Sequence, residues 1–241
     1  MPLPSLPSFS RFFCGDAANK ANADTGSAKR ERRKQARPGE LLDAALALFV
    51  EKGFAATRVE EVAARAGVSK GTLFLYFSSK EELFKAVVRE NISGRLREWE
   101  GEFELFEGSS AEMLGYCMHS WWQRIGTARA SGIYKLMVCE GGNFPEIAAF
   151  YRSEVVEPGH LLIRRILLRG VASGEFKSMD AAALEFAVYS VVAPMVFLIL
   201  SQHCLHIGGP MQASLDPSSF VTAQCQTLLH GWCLATPLAN S

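Results

Sequence analysis

The stretch from Val59 to Phe77, VEEVAARAGVSKGTLFLYF, admits few folds. Val59, Val62, Ala63 and Ala66 recur at helical spacing and make one narrow apolar stripe. Its small side chains let a partner helix approach closely. Gly67 stands where a helix C-cap favours a left-handed residue. Val68, apolar in a turn, is placed to plug the angle between two helices. Ser69 is an N-cap for a second short helix, about Lys70 to Tyr76. Upstream, Thr57-Arg58-Val59-Glu60 fits a capping box: the Thr57 hydroxyl accepts from the Glu60 N–H, and Glu60 reaches back to the Thr57 N–H. The first helix then starts at about Arg58. The spacing predicts a helix, a glycine turn and a second helix.

Two helices joined in this way form the DNA-reading unit of many regulators, and the second presents its first turn to the groove. Ser69, Lys70, Gly71 and Thr72 leave that turn free of large apolar side chains. Gly71 costs roughly 1 kcal/mol of helix propensity. Close backbone approach to DNA would justify that cost, and so would packing against a neighbouring helix. Lys70 and Thr72 are expected at base edges, and Tyr76 and Lys80 on phosphates, which set register rather than sequence. Leu73, Phe74 and Phe77 are expected in the core.

The flanks extend the pattern. Ser79-Lys80-Glu81-Glu82 reads as a second capping box. It opens a helix from Lys80 to about Trp99, with Leu83, Phe84, Val87, Val88, Ile92, Leu96 and Trp99 on one broad face. Pro38 suits a position at or near a helix start. Leu41, Leu42, Ala45, Leu48 and Phe49 follow at helical spacing, and Gly53 ends that helix. Residues 38 to about 77 make a three-helix unit.

With these residues in view, the segment Leu41–Val88 resembles the TetR family of bacterial transcriptional repressors, near its AcrR-like branch. The resemblance implies an all-α chain. It has an N-terminal three-helix helix-turn-helix DNA-binding domain and a C-terminal α-helical ligand-binding and dimerisation bundle. The expected divisions are a disordered basic extension (1–37), the DNA-binding domain (38–84) and the effector-binding and dimerisation domain (85–241). The resemblance puts Thr57, Lys70, Thr72, Tyr76 and Lys80 at positions that usually touch DNA; Ser69, Gly71 and Leu75 complete the expected set. Leu75 departs from the family, where that position often carries a polar residue or His. An apolar side chain there can meet a thymine methyl.

Charge agrees with a DNA partner in one half only. The chain of 241 residues has a formal charge of +0. Residues 1–91 hold 15 Lys+Arg against 11 Asp+Glu, so the remaining 10 basic and 14 acidic residues leave the second half acidic. The positive half holds the helix-turn-helix, as an electrostatic footprint on DNA requires. The run KRERRKQAR, Lys29–Arg37, is either a solvated tail or an arm that tracks phosphates or enters the minor groove. Six cysteines (Cys14, Cys117, Cys139, Cys204, Cys225 and Cys233) show no metal-site spacing and read as reduced thiols of a bacterial cytoplasm. The longest apolar run, Phe186–Leu200, contains Pro194 and reads as a buried helix or subunit interface, too short for a membrane span.

From about residue 100 onward the pattern stays helical, over 110–128, 131–140, 145–171 with a break near Pro158, 180–204 and 217–234. The family resemblance implies that this half dimerises and binds a small molecule. Met118, His119, Trp122, Met137, Glu140, Phe144 and Tyr151 are the expected pocket residues, rich in aromatics and methionine, with His119 and Glu140 as polar anchors. Val191, Met195, Leu198, Leu228 and Trp232 are the expected dimer interface. The expected partners are a palindromic double-stranded operator, a hydrophobic or aromatic effector and a second copy of the chain, with no membrane, metal or cofactor. His203 and His206 beside Cys204 could hold a metal, but surface and interface histidines explain them better. No nucleophile elbow, phosphate-cradling loop or paired carboxylates point to an enzyme. A rival of the same fold would bind a protein partner in place of a small molecule.

Overall fold

The computed structural model describes residues 27–203 and 216–233, and the side chains from Pro38 on. Cys14, Cys204 and His206, and the side chains of the basic run, lie outside that description.

Helix α1 is Ser27–Ala56, with Pro38 inside it. The spacing placed its start near Pro38. The residues upstream, Ala28–Ala36, are mostly strong helix formers (Lys, Arg, Glu, Gln, Ala), so helical backbone extends beyond that point. Gly53 ends the regular helix as expected, at φ +84°. Helix α2 is Val59–Arg65 and α3 is Lys70–Phe74, joined through Gly67 at φ +68°. Ser69 caps α3 by accepting from the Thr72 N–H at 3.0 Å. The buried face of this unit holds Leu41, Ala45, Leu48, Phe49, Val62, Ala63 and Leu73. Phe49, Phe54 and Phe84 make a triangle with centroids 5.3–5.7 Å apart. Such aromatic pairs contribute about 0.5–1.5 kcal/mol each beyond area burial.

Helix α4, Lys80–Val88, continues through a π-turn at Arg89–Ser93 into α5, Gly94–Glu104. All seven residues expected on its buried face are buried. Helix α6 is Ser110–Trp121, α7 is Gly132–Glu140, α8 is Pro145–Tyr151 and α9 is Glu157–Ala172. Pro158 sits in the first turn of α9, where it costs no intrahelical hydrogen bond, so the expected break is instead a π-turn at Arg152–Val156. Helix α10 is Ala181–His203 and α11 is Pro217–Trp232. The described residues from Pro38 on form one unit.

At 23 residues with a mean hydropathy of 2.1, α10 is long and apolar enough to cross a bilayer, so length does not exclude a span as the shorter run implied. It packs instead against α7, α9 and α11, burying Ala187, Val188, Val191, Met195, Leu198 and Ile199.

Candidate nucleic-acid interface

Helix α3 leans on α2 through Leu73, which is fully buried, and turns its other side outward. Ser69, Lys70, Gly71, Phe74, Leu75 and Tyr76 are exposed, and Thr72 is half-buried. Leu75 is the extreme, with 83% of its surface open to solvent. Leu75 is the C-cap of α3 and projects away from the core. A Cβ on Gly71 would meet only Ser69 Oγ, at 3.7 Å. No neighbouring helix packs there, which favours backbone approach to a ligand over internal packing. Lys70 pairs with Glu60 of α2, and that hydrogen bond holds the Glu60 carboxyl below its usual pKa. Both partners are more than half exposed, so the pair is weak and the ammonium is free to leave it for a phosphate or base.

Two expected DNA contacts turn inward. Thr57 is 1% exposed. Its hydroxyl donates to the carbonyls of Gly53 (2.6 Å) and Leu48 (3.2 Å). The cap of α2 is displaced by one residue: Glu61 accepts from the Arg58 N–H, at 3.4 Å. Thr57-x-x-Glu60 and Arg58-x-x-Glu61 overlap, and the first lost because a threonine four residues after a helix end can bond back to its carbonyls. Lys80 donates to the carbonyls of Phe54, Ala55 and Thr57 at 2.8, 3.3 and 3.1 Å, which engages all three of its donors. Its ammonium also sits 4.4 Å from the Phe54 ring centroid. Lys80 is a clamp on the turn between α1 and α2, not a free phosphate ligand.

Two residues join the surface that the sequence reading left out. Phe74, expected in the core, is 42% exposed, because a helix of five residues has only one inner position per turn and Leu73 takes it. Arg58, the N-cap of α2, is exposed and forms no ion pair among the described residues. Its signal was available: a cation at the start of a helix opposes the dipole, which disfavours it there unless an anion is near.

The expected pocket residues do not gather at one site. Met118, Trp122 and Tyr151 are buried inside the bundle. Tyr134 bridges Trp121 and Tyr151, with centroids 5.8 and 5.9 Å away. The two expected polar anchors have partners within the chain: His119 Nδ1–H donates to the Gly115 carbonyl at 2.8 Å and Nε2 faces Thr222 Oγ1 of α11 at 3.0 Å, while the Glu140 carboxylate accepts from the backbone of Phe54 and Ala55. Phe144 packs on Phe54 at 4.9 Å, and Met137 is half-buried one turn before Glu140. The expected dimer residues Val191, Met195 and Leu198 are at most 4% exposed within the single chain, so they are core. Leu228 and Trp232 are half-buried against that core. The exposed face of α10 carries Phe186, Tyr189 and Phe197 instead, at i, i+3 and i+11. Beyond Glu185, α10 carries no Asp, Glu, Lys or Arg and has apolar residues all round, so periodicity could not tell its two faces apart.

Comparison with known proteins agrees with this geometry. Residues 41–87 match the bacterial regulatory proteins of the tetR family. The transcriptional regulator RutR of Escherichia coli is 48% identical over 62 residues, covering 26% of this chain and 29% of RutR. An uncharacterized helix-turn-helix regulator of Bacillus subtilis, YfiR, is 37% identical over 67 residues, covering 28% of this chain and 33% of YfiR. The chain thus aligns with about a third of the length of these relatives. The fold extends further: FadR of Bacillus subtilis, solved in complex with stearoyl-CoA, superposes with a TM-score of 0.57 at 18% identity, over 80% of this chain and 97% of that one.

Proposed function

We propose that this chain, whose reading unit is of the TetR family, is a sequence-specific transcriptional regulator of the bacterial cytoplasm. In this reading it represses from a palindromic operator, bound as a homodimer, and a small apolar or aromatic effector releases it. The observation that carries the DNA-binding reading is the outer surface of α3. Lys70, Gly71, Phe74, Leu75 and Tyr76 are exposed, Ser69 is an exposed cap, and Arg58, the N-cap of α2, is exposed too. In the proposed roles, Lys70, Thr72 and Leu75 meet base edges, and Arg58 and Tyr76 meet phosphates. Similarity over Leu41–Val88 supports placement near the AcrR-like branch.

A five-residue reading helix spans few base pairs, and a two-fold dimer doubles the site. Phe186, Tyr189 and Phe197 of α10, with Leu161 and Leu168 of α9, form the proposed pairing face, since all five are exposed apolar side chains on adjoining helices. Two observations support a small effector in the bundle. FadR, of the same fold, was solved with stearoyl-CoA. Trp99 Nε1 is buried without a partner among the described residues; an indole N–H only donates, so it suits a ligand with an acceptor oxygen on an apolar body. The close packing of Met118, Trp122 and Tyr151 supports the rival reading, in which the apolar face of α9 and α10 takes a different protein.

The test is fluorescence anisotropy of the purified protein on DNA from upstream of its own coding region, at two salt concentrations, with the mass of the free protein measured by sedimentation. A dimer that binds tightly at moderate salt supports the reading. Binding that vanishes with salt removes sequence specificity at that DNA. A monomer that gains apolar-face protection only in cell extract favours the partner-binding rival.

A further inference from the structure

We infer that Glu140 is the positioning residue by which the helical bundle holds the reading unit in register. The inference rests on the DNA-binding reading above and names how that site is regulated. The Glu140 carboxylate accepts from the Phe54 N–H at 3.2 Å and from the Ala55 N–H at 2.8 Å, 86 and 85 residues away in sequence. On the carbonyl side of the same turn stands Lys80, donating to Phe54, Ala55 and Thr57. The turn between α1 and α2 is therefore gripped by an anion on its N–H groups and a cation on its C=O groups. Both are charge-assisted hydrogen bonds, about twice as strong as neutral ones. The two clamps differ in origin. Lys80 starts α4, in the same unit as the turn. Glu140 ends α7, a helix of the bundle.

The approach of α7 is built in at two glycines. A Cβ on Gly53 would lie 2.0 Å from Glu140 Oε1, so glycine serves there both for its φ of +84° and for access. A Cβ on Gly132 would lie 2.5 Å from Val50 Cγ1. Helix α7 thus meets α1 at both of its ends, roughly 12 Å apart at 1.5 Å per residue. Its inner side carries Ile133 and Leu136, both buried, and Tyr134, whose ring bridges Trp121 and Tyr151. A rearrangement of that aromatic trio must carry α7 with it, because packed interiors move as units. Movement of α7 releases the Phe54 and Ala55 N–H groups. The turn then loses one of its two clamps, and α2 and α3, which hang from it, lose their fixed attitude. A ligand shifts this balance only by its difference in affinity for the clamped and released states.

The experiment compares wild type, E140Q and E140A by amide hydrogen exchange and by binding to duplexes that wild type enriches from a random-sequence pool. In E140A, exchange should rise at Phe54 and Ala55 and also at Leu73 to Tyr76, while amides of α9 keep their protection. Binding to the enriched duplex should fall roughly tenfold, within the usual range for coupling between sites, with non-specific binding little changed. E140Q keeps an acceptor without the charge and should fall between the two. The inference is overturned if exchange rises at Phe54 and Ala55 but α3 is unchanged, since the contact is then only local. It is equally overturned if both variants bind the duplex as wild type does. A wild type that enriches no duplex overturns the regulator reading alone, because exchange at α3 still decides for or against the latch.

Discussion

The reading unit and the bundle use their polar side chains in opposite ways. In the reading unit many of these groups act on backbone close by in sequence: Ser69 on Thr72, Thr57 on Gly53 and Ser79 on Glu82. In the bundle they tie together helices distant in sequence. Glu175 accepts from the Ser110 and Ala111 N–H groups, His119 meets Thr222, and Ser131 meets His203. A small domain with few core residues is held by its caps and turns. A large bundle takes its stability from apolar burial and uses polar ties to select which helices pair. The first arrangement tolerates little change in local sequence; the second tolerates much, provided the ties remain. That accords with relatives 37% and 48% identical over stretches of 67 and 62 residues and a fold neighbour at 18% over most of the chain.

The contrast can be broken most severely on α10. Met195→Ala should cost about 3 kcal/mol of stability, as core truncations of that size do, and lower the Tm without a specific loss of self-association. Phe197→Glu, two residues on, should leave the Tm nearly unchanged and abolish the proposed self-association in sedimentation. If the two effects are exchanged, the faces have been assigned in reverse.

Lys80→Met comes next. Loss of three charge-assisted bonds to backbone carbonyls should cost about 2 kcal/mol. The slope of log K against log salt should stay at the wild-type value. A slope reduced by about one unit with stability intact would restore Lys80 as a phosphate contact.

Leu75→Ala should change DNA binding and nothing else. The side chain is 83% exposed, so chemical denaturation should be indistinguishable from wild type. Preference at one operator position should weaken by about 1 kcal/mol, the lower end for a base contact. A fall in stability would show that Leu75 packs in the free protein.

The smallest effect is chemical. Burial, with the neighbouring Cys225 thiol, pushes the Cys117 thiol up to about 12. Thiolate is the reactive form, so Cys117 should resist maleimide at neutral pH while exposed Cys139 on α7 reacts. Peptide mapping after partial labelling separates them, and early labelling of Cys117 would mean that the bundle opens readily.

Much of the reading unit was legible in the sequence because its determinants are local. Gly53 and Gly67 sit where the spacing requires left-handed residues, Ser69 and Ser79 cap the helices they precede, and the face of α4 and α5 follows from periodicity. The readings failed where a side chain had two local uses or a distant partner. Thr57 fitted a capping box by its letters, yet its hydroxyl bonds backward. Lys80 looked like a surface cation because nothing in its own turn pairs with it. Phe74 was placed in the core on hydrophobicity, although a five-residue helix has room for only one inward leucine.

The sequence alone determined the all-helical architecture, the positions of the glycine turns and the location of the reading helix. Each of these depends on residues within four or five positions of one another. Tertiary structure alone decided which face of α10 is buried, which side chains a Cβ on Gly53 or Gly132 would meet, and that the Glu140 carboxylate accepts from the Phe54 and Ala55 N–H groups. Those choices depend on groups far apart in sequence, such as Glu140 and Ala55, 85 residues apart. No periodicity in a single strand of letters encodes which distant backbone amide a carboxylate will find.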